Sequence, residues 1–248
     1  MRVAIAQPTY LPWLGYFDLI DQVDAFVILD SVQFEKQSWQ QRNRIKTPSG
    51  LQWLTVPVVF RGRFGQSIYE VEVRDGEFSG NHLRAIELNY RRAPFFENYF
   101  HELSVRLRCS TGSRLADLNV RLIEWLMSVL GIRTPLLFSS RLDQSGKRTE
   151  LLANICSYLS ASEYISPIGS AVYLLREIDA FHRKSIEVFF QNYEHPHYRQ
   201  MFPPFIPNAS ILDLIFNEGQ RALEVLRSGR RSLLSPEGVS EKALASPA

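Results

Sequence analysis

Cysteine is nearly missing from this chain: Cys109 and Cys156 stand alone, and no Cys-x-x-Cys pair occurs. A disulfide scaffold and cysteine-ligated zinc are thereby excluded, and both thiols are expected to be buried structural groups in a reducing compartment. No window approaches the roughly 20 apolar residues that a spanning helix needs. Nor does a charged stretch followed by an apolar core open the chain, so no leader is expected. The sequence predicts a cytoplasmic protein without a transmembrane segment. Excess charge is also missing, at a formal net +2. The overall balance therefore favours neither DNA nor a membrane as partner, leaving that to local basic clusters. Also absent are the Gly-x-Gly-x-x-Gly fingerprint, the Walker-type Gly-Lys-Ser/Thr loop and the Gly-x-Ser-x-Gly elbow, which argues against dinucleotide, NTPase and serine-hydrolase readings.

What is present is an ordinary globular composition, 45% apolar and 22% charged over 248 residues, enough for a sizeable core. Residues 3–6 read as a strand, 13–22 as an amphipathic helix and 25–29 as a second strand ending at Asp30. That order makes parallel neighbours with a right-handed crossover. Two extended runs, 41–46 and 51–58, flank a Pro/Gly turn and read as a hairpin, and 69–73 alternates like a short strand. Helical spacing predicts helices over 82–92, 94–108 and 114–130, the last closed by Gly131. Strands follow at 136–139, 164–166 and 186–190, with helices at 149–159 and 208–226. The expected architecture is an α/β fold: a mostly parallel Rossmann-like sheet with a β-hairpin excursion and a helical insertion at about 78–131. A single domain is expected over 1–229, with 230–248 as a disordered tail.

Four constellations can carry chemistry. Gln7, Thr9, Tyr10 and Asp30 fall at strand carboxyl ends, where open parallel sheets bind ligands. Pro12 suits the first helical position, beside free N–H groups that favour an anion. Secondly, Arg42, Arg44 and Lys46 alternate onto one face of an extended segment that also offers Gln33 and Trp39, so they can clamp a pyrophosphate or carboxylate. Thirdly, Lys147 and Arg148 precede a helix whose dipole they oppose unless an anion bridges them. Fourthly, His195, His197 and Gln200 follow the 186–190 strand. Asp30 and His195 are the candidate bases. Neither histidine has a metal-ligand partner at helical spacing, so no metal site is predicted, and no cofactor or oligomeric state follows from the residues.

Several of these residues form a recognisable pattern. Residues 4–17 (Ala-Ile-Ala-Gln-Pro-Thr-Tyr-Leu-Pro-Trp-Leu-Gly-Tyr-Phe), Asp30-x-Val-Gln-Phe34 and Trp39-Gln-Gln-Arg-Asn-Arg-Ile-Lys46 resemble the WbqC-like family. So do Tyr164-Ile-Ser166 with Tyr173, His195-Pro196 with Tyr198 and Gln200, and the run from Asn208 to Gly219. Where members of that family often carry His before Gln-Pro, this chain has Ala6. The resemblance implies work on bacterial surface polysaccharide such as O-antigen. The expected activity is a transferase acting on a nucleotide-activated or lipid-linked sugar, by acyl or aminoacyl transfer. An anionic, phosphate-bearing small molecule is the expected partner. A second likeness, to nucleotidylyltransferases, rests on the first crossover, although Trp13-Leu14-Gly15-Tyr16 lacks both histidines of their His-x-Gly-His motif. A non-catalytic scaffold of a polysaccharide assembly complex is the alternative from another class.

Overall fold

The computed structural model describes residues 1–74, 77–108 and 113–243, with side chains through residue 239. The chain opens with β1 (Arg2–Ala6), α1 (Leu14–Asp21) and β2 (Ala25–Ile28), and then leaves the sheet. The excursion comprises the hairpin β3 (Arg42–Thr47) and β4 (Gly50–Thr55), then α2 (Glu77–Tyr90), α3 (Phe96–Arg108) and α4 (Leu115–Leu130). It returns through β5 (Leu136–Phe138), α5 (Thr149–Tyr158) and β6 (Glu163–Ser166). Two short helices follow, α6 (Ala171–Leu174) and α7 (Asp179–His182), then β7 (Glu187–Phe190). The chain closes with α8 (Ile211–Glu218), α9 (Ala222–Ser228) and α10 (Pro236–Ala243).

The five sheet strands are all parallel, in the order β5-β2-β1-β6-β7. The Rossmann-like α/β architecture expected from the sequence is therefore present, with β3–β4 as a separate antiparallel hairpin. Strand alternation builds the layers. Ala4, Phe26 and Ile28 point into one apolar core with α1, α4 and α8. Val3, Ile5, Ala25 and Val27 point into a second core with α5 and β7. Coverage of both faces explains why β2 is apolar throughout and wholly buried. The hairpin and α2–α4 share the first core with the sheet. β1 lies between β2, reached through α1, and β6, reached much later, so the sheet switches direction there. Crevices for ligands open at the carboxyl ends of strands at such a point.

Local signals account for most elements. Gly131 caps α4 in the left-handed conformation (φ 76°), as its position after the apolar stripe predicts. Residues 69–73 do not form the expected strand. A Ser67–Glu70 capping box, with Ser67 N–H donating to Glu70 Oε2 at 2.8 Å, winds Ile68–Glu70 into a 3-10 turn instead. Pro12 lies before the helix rather than in it, because its carbonyl accepts from Ile211 N–H at 2.8 Å and α1 starts at Leu14.

The segment after Gly229, expected to lack structure, is fastened as far as it is described. Arg230 ion-pairs with Asp18 at 2.8 Å and with Asp21, Leu234 pairs with Phe190, and Val239 is buried. Composition misses this because the carboxylates lie in α1, far away in the chain. Cys156 is buried as expected; Cys109 lies outside the described residues. Among those residues no helix is long and apolar enough to cross a membrane.

Candidate functional site

Residues 7–13, leaving the carboxyl end of β1, are held by distant amides rather than by regular structure. Asn43 Nδ2 donates to the carbonyls of Tyr10 (3.1 Å) and Leu11 (2.8 Å). Asn119 Nδ2 donates to those of Pro8 (3.0 Å) and Gln40 (2.7 Å). Tyr10 N–H donates to the Trp39 carbonyl at 2.9 Å. This clamp keeps Leu11 in the left-handed region (φ 43°), which costs a leucine about 1–2 kcal/mol. Gly15 completes the arrangement. A Cβ there would overlap the Trp13 indole, so only glycine lets that ring fold back over the first turn of α1.

The first cavity is a hollow of about 360 Å³ among Thr9, Trp13, Tyr16, Trp39, Arg44 and Asn208. Its far wall is docked by Ser210 N–H donating to the Arg44 carbonyl at 2.8 Å. Trp13 is braced edge-on by Tyr193 (centroids 5.6 Å apart) and flanked by a near-parallel His195 ring at 6.4 Å. The Arg44 guanidinium lies over Trp39 at 5.3 Å and Trp53 at 5.2 Å. Arg44 Nε and Thr9 Oγ1 are buried in the walls without a hydrogen-bond partner. Among the described residues no carboxylate lines this hollow.

The second cavity is a cleft of about 750 Å³ at the point where the sheet switches direction. Gln7 comes to it from β1, Ser31 and Gln33 from the loop after β2, and Tyr173 from beyond β6. Lys147 and Arg148 come from the turn before α5. Two left-handed residues, Gly146 (φ 126°) and Arg148 (φ 49°), make that turn. It sets two cations at the positive end of the α5 dipole, where an anion relieves the repulsion. Thr149 Oγ1, in the first turn of α5, is buried without a partner. Nor, among the described residues, does a carboxylate line this cleft.

The structure thus divides the expected residues between two cavities instead of gathering them into one. Thr9, Trp39 and Arg44 line the hollow; Gln7, Gln33 and Lys147 line the cleft. The expected three-cation clamp does not form. Arg42 stacks on Trp53 at 4.3 Å, and Lys46, only 1% exposed, is turned inward. Tyr10 is wholly buried, its hydroxyl 2.8 Å from His82 Nδ1. Gln200 lines neither cavity; it bonds to Ile206 and, at 2.9 Å, to Asp213. His197 packs on Phe205, centroids 4.1 Å apart.

The two candidate bases differ sharply. Asp30 is buried, with Oδ1 accepting from Ser139 Oγ (3.0 Å) and Ser140 N–H (2.8 Å), and Oδ2 from Ser140 Oγ (2.7 Å). It ties the end of β2 to the end of β5. His195 Nδ1 lies 3.0 Å from the Pro196 carbonyl, which can only accept, so Nδ1 carries the proton and Nε2 keeps its lone pair. Nε2 is buried and unpartnered, and burial lowers the imidazole pKa. Sequence reasoning passed over Tyr16 and Asn119 as site residues. Trp13 did carry a readable signal, a ring beside proline in a loop.

Comparison with known proteins agrees with the motifs quoted above. The chain is 41% identical over 231 residues to an uncharacterized protein, Rv1507c, of Mycobacterium tuberculosis (strain ATCC 25618 / H37Rv), covering 93% of this chain and 99% of that one. No solved structure matches. Residues 7–225, which include both cavities and the loop that separates them, match the WbqC-like protein family, and the chain belongs to that family.

Proposed function

We propose that this protein is a transferase whose cleft holds a phosphate-bearing activated donor and whose hollow holds the acceptor. One observation carries the reading. The clamped segment after β1 is a wall common to both cavities, with Gln7 facing the cleft and Thr9 the hollow.

Lys147, Arg148 and the start of α5 match the phosphates of a nucleotide-activated or lipid-linked sugar. Trp13 and Trp39 offer ring faces to an acceptor, with Arg44 beside them to meet a polar or anionic substituent. His195 suits the base better than Asp30, because its Nε2 lone pair is free whereas both Asp30 oxygens are engaged. Family membership supports a place in surface polysaccharide assembly, O-antigen included, with acyl or aminoacyl transfer as the reaction.

Thermal-shift titration with nucleotide sugars, free nucleotides and coenzyme A thioesters tests this. A phosphate-bearing class raises Tm in the parent protein by binding only the folded state, and Lys147→Ala with Arg148→Ala abolishes the rise. If none of the three classes moves Tm, the donor assignment fails.

A further inference from the structure

Charge that is balanced over the whole chain is segregated in one stretch: residues 36–66 hold six Lys or Arg and no Asp or Glu. The same stretch holds every exposed Trp and Phe among the described residues. Trp39 is 47% exposed, Trp53 42%, Phe60 42% and Phe64 98%.

Their ring and cation contacts make two clusters within this stretch. Trp39 and Trp53 meet at 5.3 Å, Arg42 and Arg44 lie over Trp53, and Lys36 Nζ sits 3.9 Å above the Phe60 ring. The loop carrying Phe60 and Phe64 is fastened to the segment just before Lys36 by Phe34 N–H donating to the Gln66 carbonyl at 2.9 Å. Phe64 lies between two left-handed glycines, Gly62 and Gly65, and is flanked by exposed Arg61 and Arg63. Of the cations here, Lys46 is buried and Arg63 pairs with Glu72 at 2.9 Å.

We infer that this face docks peripherally on an anionic lipid bilayer, with Phe64 entering the headgroup boundary and Arg61, Arg42 and Lys36 meeting lipid phosphates. Rings with a polar or cationic companion settle at the membrane interface, and basic side chains add attraction to anionic lipid. A single-stranded nucleic acid is the weaker fit. Base stacking needs open ring faces, whereas Trp53 and Phe60 already carry cations over theirs. Trp39 and Arg44 belong both to this surface and to the hollow, so a docked protein holds that cavity beside the membrane. The inference is independent of the proposed transfer chemistry.

The test is co-sedimentation of the full chain with phosphatidylcholine vesicles, with and without an equal part of phosphatidylglycerol, and with a single-stranded RNA oligonucleotide as competitor. Binding is expected only to the anionic vesicles, weakening with salt and accompanied by a blue shift of tryptophan emission. Phe64→Ser, which disturbs no packing, is expected to lower the partition coefficient about tenfold, and Arg61→Gln several-fold. Absence of binding to anionic vesicles overturns the inference. So does unaltered binding by Phe64→Ser, or displacement from vesicles by RNA.

Discussion

Tyr16 Oη donates to the carbonyl of Gln7 at 3.1 Å, and that bond ties a wall of the hollow to the rim of the cleft. Tyr16 stands on α1 and lines the hollow; Gln7 ends the run from β1 and lines the cleft. Gln7 is held from the other side by Gln40 Nε2, which donates to its Oε1 at 2.9 Å. Tyr16→Phe is expected to cost about 1 kcal/mol of stability in urea unfolding. In a transfer assay it lowers kcat more than it raises either KM, because both cavities survive but lose their mutual alignment.

If the cleft holds the donor and the hollow the acceptor, kinetics separates the two cavities. Lys147→Ala raises the KM for the phosphate-bearing substrate about tenfold, the worth of one charge-assisted hydrogen bond, and leaves the acceptor KM unchanged. Trp39→Ala does the reverse. Both side chains are exposed, so unfolding midpoints stay close to the parent value. A shared KM effect from either variant would mean that one substrate spans both cavities.

Asp30→Asn is expected to act on stability. Three donors converge on this carboxylate, and the amide can accept from only some of them, at a cost of about 2 kcal/mol. Turnover of the folded fraction stays within about twofold, whereas His195→Gln abolishes it. Loss of turnover in Asp30→Asn without a change in Tm would restore Asp30 as the base.

Acid sensitivity follows from His82. Burial holds its imidazole at about 4, against an ordinary 6.5. Between those values the folded protein binds fewer protons than the unfolded chain. Its contribution is therefore complete above pH 6.5 and is lost as pH falls, reaching about 3 kcal/mol at pH 4. His195 shifts in the same direction. The difference in urea midpoints between the parent and His82→Gln, followed from pH 7 to 4, isolates the His82 share.

Residues 230–239 are fastened to the rest of the fold. Arg230 meets Asp18, which is fully buried, and also Asp21. Arg230→Ala leaves the Asp18 carboxylate with Gln191 Nε2 at 2.8 Å and Gln22 Nε2 at 2.6 Å as side-chain donors, an expected loss of about 3–5 kcal/mol. Arg231→Ala, whose pairing with Glu194 is exposed, costs less than about 1 kcal/mol by the same measurement.

Local chemistry made much of the fold legible. Apolar runs such as 25–28 mark strands buried on both faces, the 115–130 stripe marks a helix, and Gly131 marks its end. Where expectation and structure part, a contact remote in the chain decides. The Ser67–Glu70 box is the exception, local but stronger than the alternation around it. Arg230 is the plainer case, since its carboxylate partners stand more than 200 residues earlier. Lys46 shows the same limit from within a strand: alternation assigns it the face of Arg42 and Arg44, yet the interior takes it, 1% exposed.

The sequence by itself determined the α/β class, the parallel strand pairs, the hairpin excursion and the candidate ligand rim at the end of β1. Those properties rest on side-chain periodicity and turn chemistry, which act over a few residues. Tertiary structure alone decided that the rim separates two cavities, that Asp30 is tied while His195 keeps a lone pair, and which cations line a cavity. Each of those outcomes hangs on bonds such as Asn119 to the Pro8 carbonyl, 111 residues apart, and no local pattern encodes a partner at that distance.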